Sequence, residues 1–537
     1  MTSASIPTAS APAVLPHRTK LLTLAGVLLA LFLGSLDQTI VSTALPRIVA
    51  DLHGFDRFTW VATAYLVAST ALVPVYGKLA DMYSRRAIEV TAILIFLAGS
   101  ALCGLAGEFG TLPVLGDGMS QLIIFRAVQG LGGAGLFAMA FIVIADLFTP
   151  AERGRYQGFV GATFGLSSVL GPFLGGLLTD HGTGLVPGIA GWRLVFYVNL
   201  PLGLLALWFI LAKMPRLKPR GEKQPLDYLA ALLLMTGLVP LIIALQLNKA
   251  EYAWASPTTL GLLAVSAASL LLFVFRSLRA TNPILDLSLF RNHVFRPAII
   301  AVFLLGGSFL SLVIFEPVFM INVLGVTATR AGVSLIPLSL GVVLGSMLAG
   351  RMVSRYGHYK RWMLGGGLVL LGGLLLLGTM PVTVSYGQVL SYVLLCGLGL
   401  GPTMPLYTLA IQNAIEPRFM GQATSASQFF RQIGGAIAAA LFGTVLTMSL
   451  AGPLSAAAPA KAPALQHQLV THGAELPAGA GSDSPAPLTP ALKAAFAQAI
   501  SRIYLCTMAL VAAGLVASLF IPELPLRRSH QGAAPAE

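Results

Sequence analysis

Four ionisable side chains stand deep inside long apolar stretches of this chain: Asp37, Arg126, Glu316 and Arg431. A charge in such surroundings is costly, so it faces a partner or a water path and marks proton or ion chemistry. Asp37 is about 8 residues, roughly 12 Å, from the outer end of its stretch, the end away from the basic loops. Arg126 is about 6 residues, roughly 9 Å, from the outer end of its own, so the two can interact. Burial favours a neutral carboxyl group and a nearby cation favours the ionised form, so displacing an arginine switches proton affinity. A static salt bridge that fixes helix packing is the plainer reading of the same pair. Glu316, just before Pro317, lies about 5 residues, roughly 8 Å, from its outer end. It is placed to bind a cationic ligand, to carry a second proton or to pair with Arg330. Arg431 lies nearer the middle of its stretch, where interhelical hydrogen bonding is as good a reading as a functional one.

Other chemistries lack their residues. Cys103, Cys396 and Cys506 each stand alone in an apolar stretch, with no C-x-x-C pair, and the eight histidines lie mostly in loops and tails. No metal site or disulfide framework is expected from them. Gly130-x-Gly132-x-x-Gly135 matches the dinucleotide fingerprint, but no strand precedes it and it lies within an apolar stretch. No G-x-x-x-x-G-K-[ST] run is present, so no ATP site and no cofactor are expected. A membrane-embedded acyltransferase or peptidase would need a clustered His, Ser, Cys or acidic set, which is missing.

These side chains need helices to position them. Of 537 residues 56% are hydrophobic and 10% charged, and the mean hydropathy is +0.83, which excludes an ordinary soluble domain. Fourteen apolar stretches, from 21–45 to 497–520, each have the length of a membrane-crossing helix. The first is too long for a signal peptide and carries Asp37 and Gln38, so it reads as a permanent span. With the N-terminus inside, 23 of the 33 lysines and arginines fall in inner segments, as the positive-inside rule requires. The net charge of +13 is therefore read as membrane orientation, not as nucleic-acid binding. Residues 1–20 and 521–537 read as cytoplasmic tails, the first disordered, and 450–496 as a long outer loop rich in Ala, Pro, Gly and Ser. Within it, Thr489-Pro490 looks like a capped helix start running into the last span.

Two loops repeat one shape, Gly77-Lys-Leu-Ala-Asp81-Met-Tyr-Ser84-Arg85-Arg86 and Gly350-Arg-Met-Val-Ser354-Arg-Tyr-Gly357-His-Tyr-Lys360-Arg361. They follow the second and the tenth span, so two helices within 227–279 are inserted between six-helix halves. The first loop resembles the signature G-x-L-A-D-R-x-G-R-K of the major facilitator superfamily, departing from it at Met82 and Ser84. Leu36-Asp37-Gln-Thr-Ile, Arg126-Ala-Val-Gln129-Gly130, Gly171-Pro172-x-x-Gly175-Gly176 and Trp192-Arg-Leu-Val-Phe-Tyr-Val-Asn199-Leu-Pro201 resemble motifs of its drug:proton antiporters with fourteen spans.

The resemblance implies an all-α major facilitator fold, with an N-terminal bundle at 21–213, a linker with the inserted pair at 214–296 and a C-terminal bundle at 297–520. It implies a proton-coupled antiporter in the cytoplasmic membrane that exports lipophilic, partly cationic compounds, with the proton gradient as energy source. An exporter of a lipid, siderophore or other endogenous amphiphile is the alternative. Asp37 and Arg126 are the expected coupling pair, and Glu316, Arg431 and Gln129 the expected substrate or proton contacts. Gly77, Asp81, Arg85 and Arg86 are expected in the conformational switch, and Gly171, Pro172, Gly175 and Gly176 in the antiporter motif. The expected partners are a small lipophilic substrate, protons and the bilayer, with the chain a monomer.

Overall fold

The computed structural model describes residues 15–54, 57–186, 188–215, 226–247, 252–457 and 490–526. Within them fourteen helices are long and apolar enough to cross a membrane. The first six are α1 (His17–Leu52), α2 (Trp60–Met82), α3 (Arg85–Gly104), α4 (Gly118–Leu147), α5 (Pro150–Gly182) and α6 (Gly191–Lys213). Then come α7 (Tyr228–Gln246) and α8 (Pro257–Arg279). The last six are α9 (Phe295–Asn322), α10 (Arg330–Tyr356), α11 (Lys360–Gly378), α12 (Tyr386–Ala414), α13 (Pro417–Leu450) and α14 (Pro490–Leu519). No strand forms among the described residues, as expected where every backbone group must be satisfied inside its own segment.

Local chemistry sets the helix ends. The Asp117 carboxylate accepts from the Ser120 N–H at the start of α4, and a Thr149–Glu152 capping box with Pro150 in first position opens α5. Ser256 ahead of Pro257 opens α8, and Gly357, at φ +76°, closes α10 in the left-handed conformation. Two boundaries differ from expectation. Residues 17–20 belong to α1, not to a tail. The α13 helix runs on to Ala457, so the outer loop begins later than 450, while α14 begins at Pro490, in line with the helix start expected at Thr489-Pro490. The alanine-rich composition there favours helix as much as loop. Thr489 and the rest of that loop, residues 1–14, the basic run Arg216, Lys218, Arg220 and Lys223, and residues 527–537 lie outside the described residues.

Spans α1–α6 and α9–α14 form two bundles, and α7 packs with α8 and against α2 and α13. Arg276 Nε lies 2.8 Å from Asp227 Oδ1, tying the inserted pair together. The segment after α8 reaches both bundles: Lys78 Nζ donates to Asn282, and the Asp286 N–H donates to Gln422 Oε1 at 3.0 Å. Among the described residues, the hydrogen bonds between bundles lie between their basic-loop ends and mid-helix. Gln157 donates to Gln412 at 3.0 Å, Gln412 to the Phe141 carbonyl at 3.3 Å, and Thr70 to Gln432 at 2.7 Å. The bundles are therefore closed against each other on the basic-loop side.

Candidate functional site

Asp37 is fully buried, and side chains from two other helices, α4 and α6, converge on it. Arg126 Nη1 on α4 lies 2.5 Å from its Oδ2, while Gln129 Nε2 and Asn199 Nδ2 donate to its Oδ1 at 2.8 and 2.9 Å. Arg126 and Gln129 stand one turn apart on the same face of α4, and Arg126 also donates to Gln129 Oε1 at 2.7 Å. The guanidinium is 4.5 Å from the Tyr65 ring centroid, and its Nε donates to the Val61 carbonyl at 3.3 Å. Asn199 donates as well to Ser100 Oγ at 3.0 Å. Each carboxylate oxygen is thus satisfied, and a single guanidinium supplies the compensating charge. The expected contact between Asp37 and Arg126 is present. Asn199 and Ser100 complete the site although they were not expected in it; the available signals were the motif from Trp192 to Pro201 and an asparagine inside an apolar span.

Close approach of backbones makes this convergence possible. A Cβ on Gly130 would come within 2.6 Å of the Tyr65 carbonyl oxygen, and one on Gly132 within 2.4 Å of the Phe96 nitrogen. The dinucleotide-like glycines therefore seat α4 against α2 and α3. On α5 the two glycine pairs face different partners. Gly161 and Gly165 lie against Ser346 and Ser339 of α10 in the other bundle, whereas Gly171 and Gly175 lie against Thr39 and Thr43 of α1. Pro172 stands within the second pair, directly after Gly171, and Gly176 has nothing within 4 Å of where its Cβ would be.

The Asp81 loop joins the two bundles. Its Oδ1 accepts from the Gly421 N–H at 2.7 Å and its Oδ2 from the Gln422 N–H at 2.9 Å, placing a carboxylate at the N-terminus of α13. Gly77, one turn earlier, lets α2 touch α13, since a Cβ there would fall 1.9 Å from Ser425 Oγ. Arg85 and Arg86 serve their own bundle: Arg85 Nε lies 2.7 Å from Asp146 Oδ2, and Arg86 donates to the Leu211 carbonyl at 2.5 Å.

Glu316 and Arg431 do not meet. Arg431 donates to Gln428 Oε1 at 2.6 Å, and its backbone packs on Gly306 of α9. Glu316 is fully buried and neither of its oxygens has a hydrogen-bond partner. Arg330, a candidate partner from sequence, instead stacks on Tyr386 at 4.9 Å. A further buried carboxylate, Glu89 on α3, was overlooked although it stands in an apolar stretch; its oxygens are likewise unpartnered. No group of three or more metal-ligating side chains occurs among the described residues.

The sequence profile described as Major Facilitator Superfamily matches residues 27–439. The chain belongs to that superfamily. It is 40% identical over 422 residues to multidrug resistance protein 3 of Bacillus subtilis (strain 168), covering 79% of this chain and 78% of that one. It is 39% identical over 431 residues to multidrug transporter protein MdtP of the same organism, covering 80% and 75%. Among solved structures it resembles the proton:xylose symporter XylE, with a TM-score of 0.60 at 13% identity over 94% of this chain and 96% of that one. It also resembles the human organic anion transporter MFSD10, with a TM-score of 0.58 at 15% identity over 93% and 100%. At such identity these structures bear on the fold alone. The chain is a multi-pass membrane transporter of this superfamily, not an enzyme.

Proposed function

We propose that the protein is a proton-driven antiporter that exports lipophilic, partly cationic compounds from the cytoplasm. The observation that carries this reading is the Asp37 site, a buried carboxylate whose charge is compensated by Arg126 alone. Moving α4 relative to α1 would strip that compensation and leave a carboxylate that must take up a proton; restoring it would release the proton. No ATP motif offers another energy source. Relatives named as multidrug proteins support a broad cargo range.

The basic-loop side is the cytoplasmic one by the positive-inside rule, so both termini face the cytoplasm of the inner membrane. The Asp81 cap on α13 then belongs to a state closed towards the cytoplasm, and transport requires its release. Gln129 acts with the coupling pair, and Arg431, beside the inter-bundle contact Thr70–Gln432, is a cargo contact. The protein works as a monomer with no cofactor. The decisive experiment is ethidium transport into inside-out vesicles under an imposed proton gradient. An uncoupler should abolish accumulation with ATP held constant; accumulation that persists refutes proton drive.

A further inference from the structure

The two bundles carry a buried carboxylate at the same place in the repeat. Asp37 stands in α1, the first span of its bundle, and Glu316 in α9, the first span of the other. Counted from His17 and from Phe295, their positions agree within one residue. The correspondence extends to their surroundings. Asn199 in α6 donates to Asp37, and Tyr504 in α14, the matching last span, lies within electrostatic range of Glu316. Counted back from Lys213 and Leu519, these two positions also agree within one residue. Gln129 in α4 matches Cys396 in α12, which lies in electrostatic range of Tyr504.

One member has no counterpart. One turn before Cys396, where α4 carries Arg126, α12 carries the buried Val393. Nor does another cation take its place. Arg431 of α13 packs at Gly306, about 10 residues and roughly 15 Å back along α9 from Glu316. Arg330 stacks on Tyr386, and Arg502 of α14 is exposed. The Ser334 hydroxyl beside Glu316 donates to the Ala331 carbonyl. Tyr504 Oη is buried without a partner, like both oxygens of Glu316. The neighbours of α14 are α9, α11 and α13, so this cluster lies inside the second bundle and not between the bundles.

We infer that Glu316 and Tyr504 form a second proton-carrying site, the counterpart of the Asp37 site with a hydroxyl in place of the guanidinium. An unpaired carboxylate in such buried surroundings is costly, whereas a neutral acid needs only hydrogen-bond partners. Tyr504 can donate or accept, and Pro317 leaves the Val313 carbonyl, one turn back, without its helical donor. The Glu316 carboxylate takes its proton from hydronium in the aqueous phase, forming one O–H bond as the other breaks, and returns it to water on the other side. In the antiporter reading, on which this role in transport rests, the site adds a proton to each cycle.

Purified full-length protein in liposomes would be examined by infrared difference spectroscopy between acid and alkaline pH. Glu316→Gln should remove a carboxylic-acid C=O band that Asp37→Asn retains, and Tyr504→Phe should shift that band without removing it. A Glu316→Gln spectrum identical to the parent overturns the proposal, as does a band that Tyr504→Phe leaves unmoved. In the same liposomes, with the membrane potential clamped, the slope of log ethidium accumulation against ΔpH should fall by one in Glu316→Gln. An unchanged slope overturns the coupling role. A slope of zero in the parent, with the Glu316 band present, instead refutes proton-driven export and leaves the site standing.

Discussion

Asp81 and Gly421 belong to different bundles, yet the Asp81 carboxylate accepts from the Gly421 N–H in the first turns of α13, at 2.7 Å. Gln422 adds a second N–H to the same carboxylate, and its side chain accepts from the Asp286 N–H in the segment after α8. One short stretch thus joins the first bundle, the second bundle and the inserted pair.

Removing the charge while keeping the shape should loosen this closure. A carboxylate at a helix N-terminus contributes about 0.3–2 kcal/mol, so Asp81→Asn should shift the closed-to-open ratio by up to about 30-fold. Cysteines replacing the hydrogen-bonded Gln157 and Gln412 report the closed state by cross-linking. Their yield should drop in Asp81→Asn, and an equal yield would mean that the cap does not hold the bundles together.

The Asp37 site predicts two separable defects. Asp37→Asn keeps the size of the side chain and mimics its protonated form, a state the proposed cycle itself visits, so the folded protein should persist while ethidium accumulation driven by ΔpH is lost. Arg126→Ala leaves a buried carboxylate without its cation and should cost about 3–5 kcal/mol of stability. Thermal unfolding in detergent separates them: a small change in Tm for the first and a large drop for the second. Concentrative transport by Asp37→Asn would exclude Asp37 as the coupling carboxylate.

Within the Gly171–Gly176 motif the glycines should differ sharply. A Cβ at Gly171 would fall 2.0 Å from Thr39 Oγ1 with the Ile40 nitrogen at 3.1 Å, while one at Gly176 meets nothing within 4 Å. Gly171→Ala should therefore cost about 1–3 kcal/mol through overpacking, and Gly176→Ala should leave Tm and efflux near the parent values. Equal tolerance at both would show that α1 and α5 do not pack this closely.

One surface bridge bears on pH. Arg57 lies 2.7 Å from Asp117, and its hydrogen bonds, with the Ser120 N–H, hold the Asp117 carboxyl well below the usual carboxylate range. A depressed carboxyl stabilises the fold above its unfolded value, about 4, and loses that contribution only in stronger acid. Asp117→Asn should thus cost at most about 1 kcal/mol at pH 7 for an exposed pair, seen as a slightly lower Tm, and the difference should vanish in strong acid. The pH profile of transport near neutrality should be the same with and without Asp117; a displaced profile would implicate this bridge in coupling.

Hydropathy and charge are properties of position along the chain. For that reason the fourteen spans, the side bearing the basic loops, the inserted pair and the depth shared by Asp37 and Arg126 were all legible before any coordinates. The bond between those two residues follows from their depth once the helices are adjacent. What faces what could not be read in this way. Gly161/Gly165 and Gly171/Gly175 have identical spacing on one helix, yet one pair meets α10 and the other α1, because rotation and tilt decide which surface each presents. Arg330 was a reasonable partner for Glu316 by sequence, but its side chain turns to Tyr386 and leaves Glu316 among the helices of the second bundle. Burial without a partner is a property of all the surrounding helices at once, so only the tertiary structure could distinguish the satisfied Asp37 from the unsatisfied Glu316.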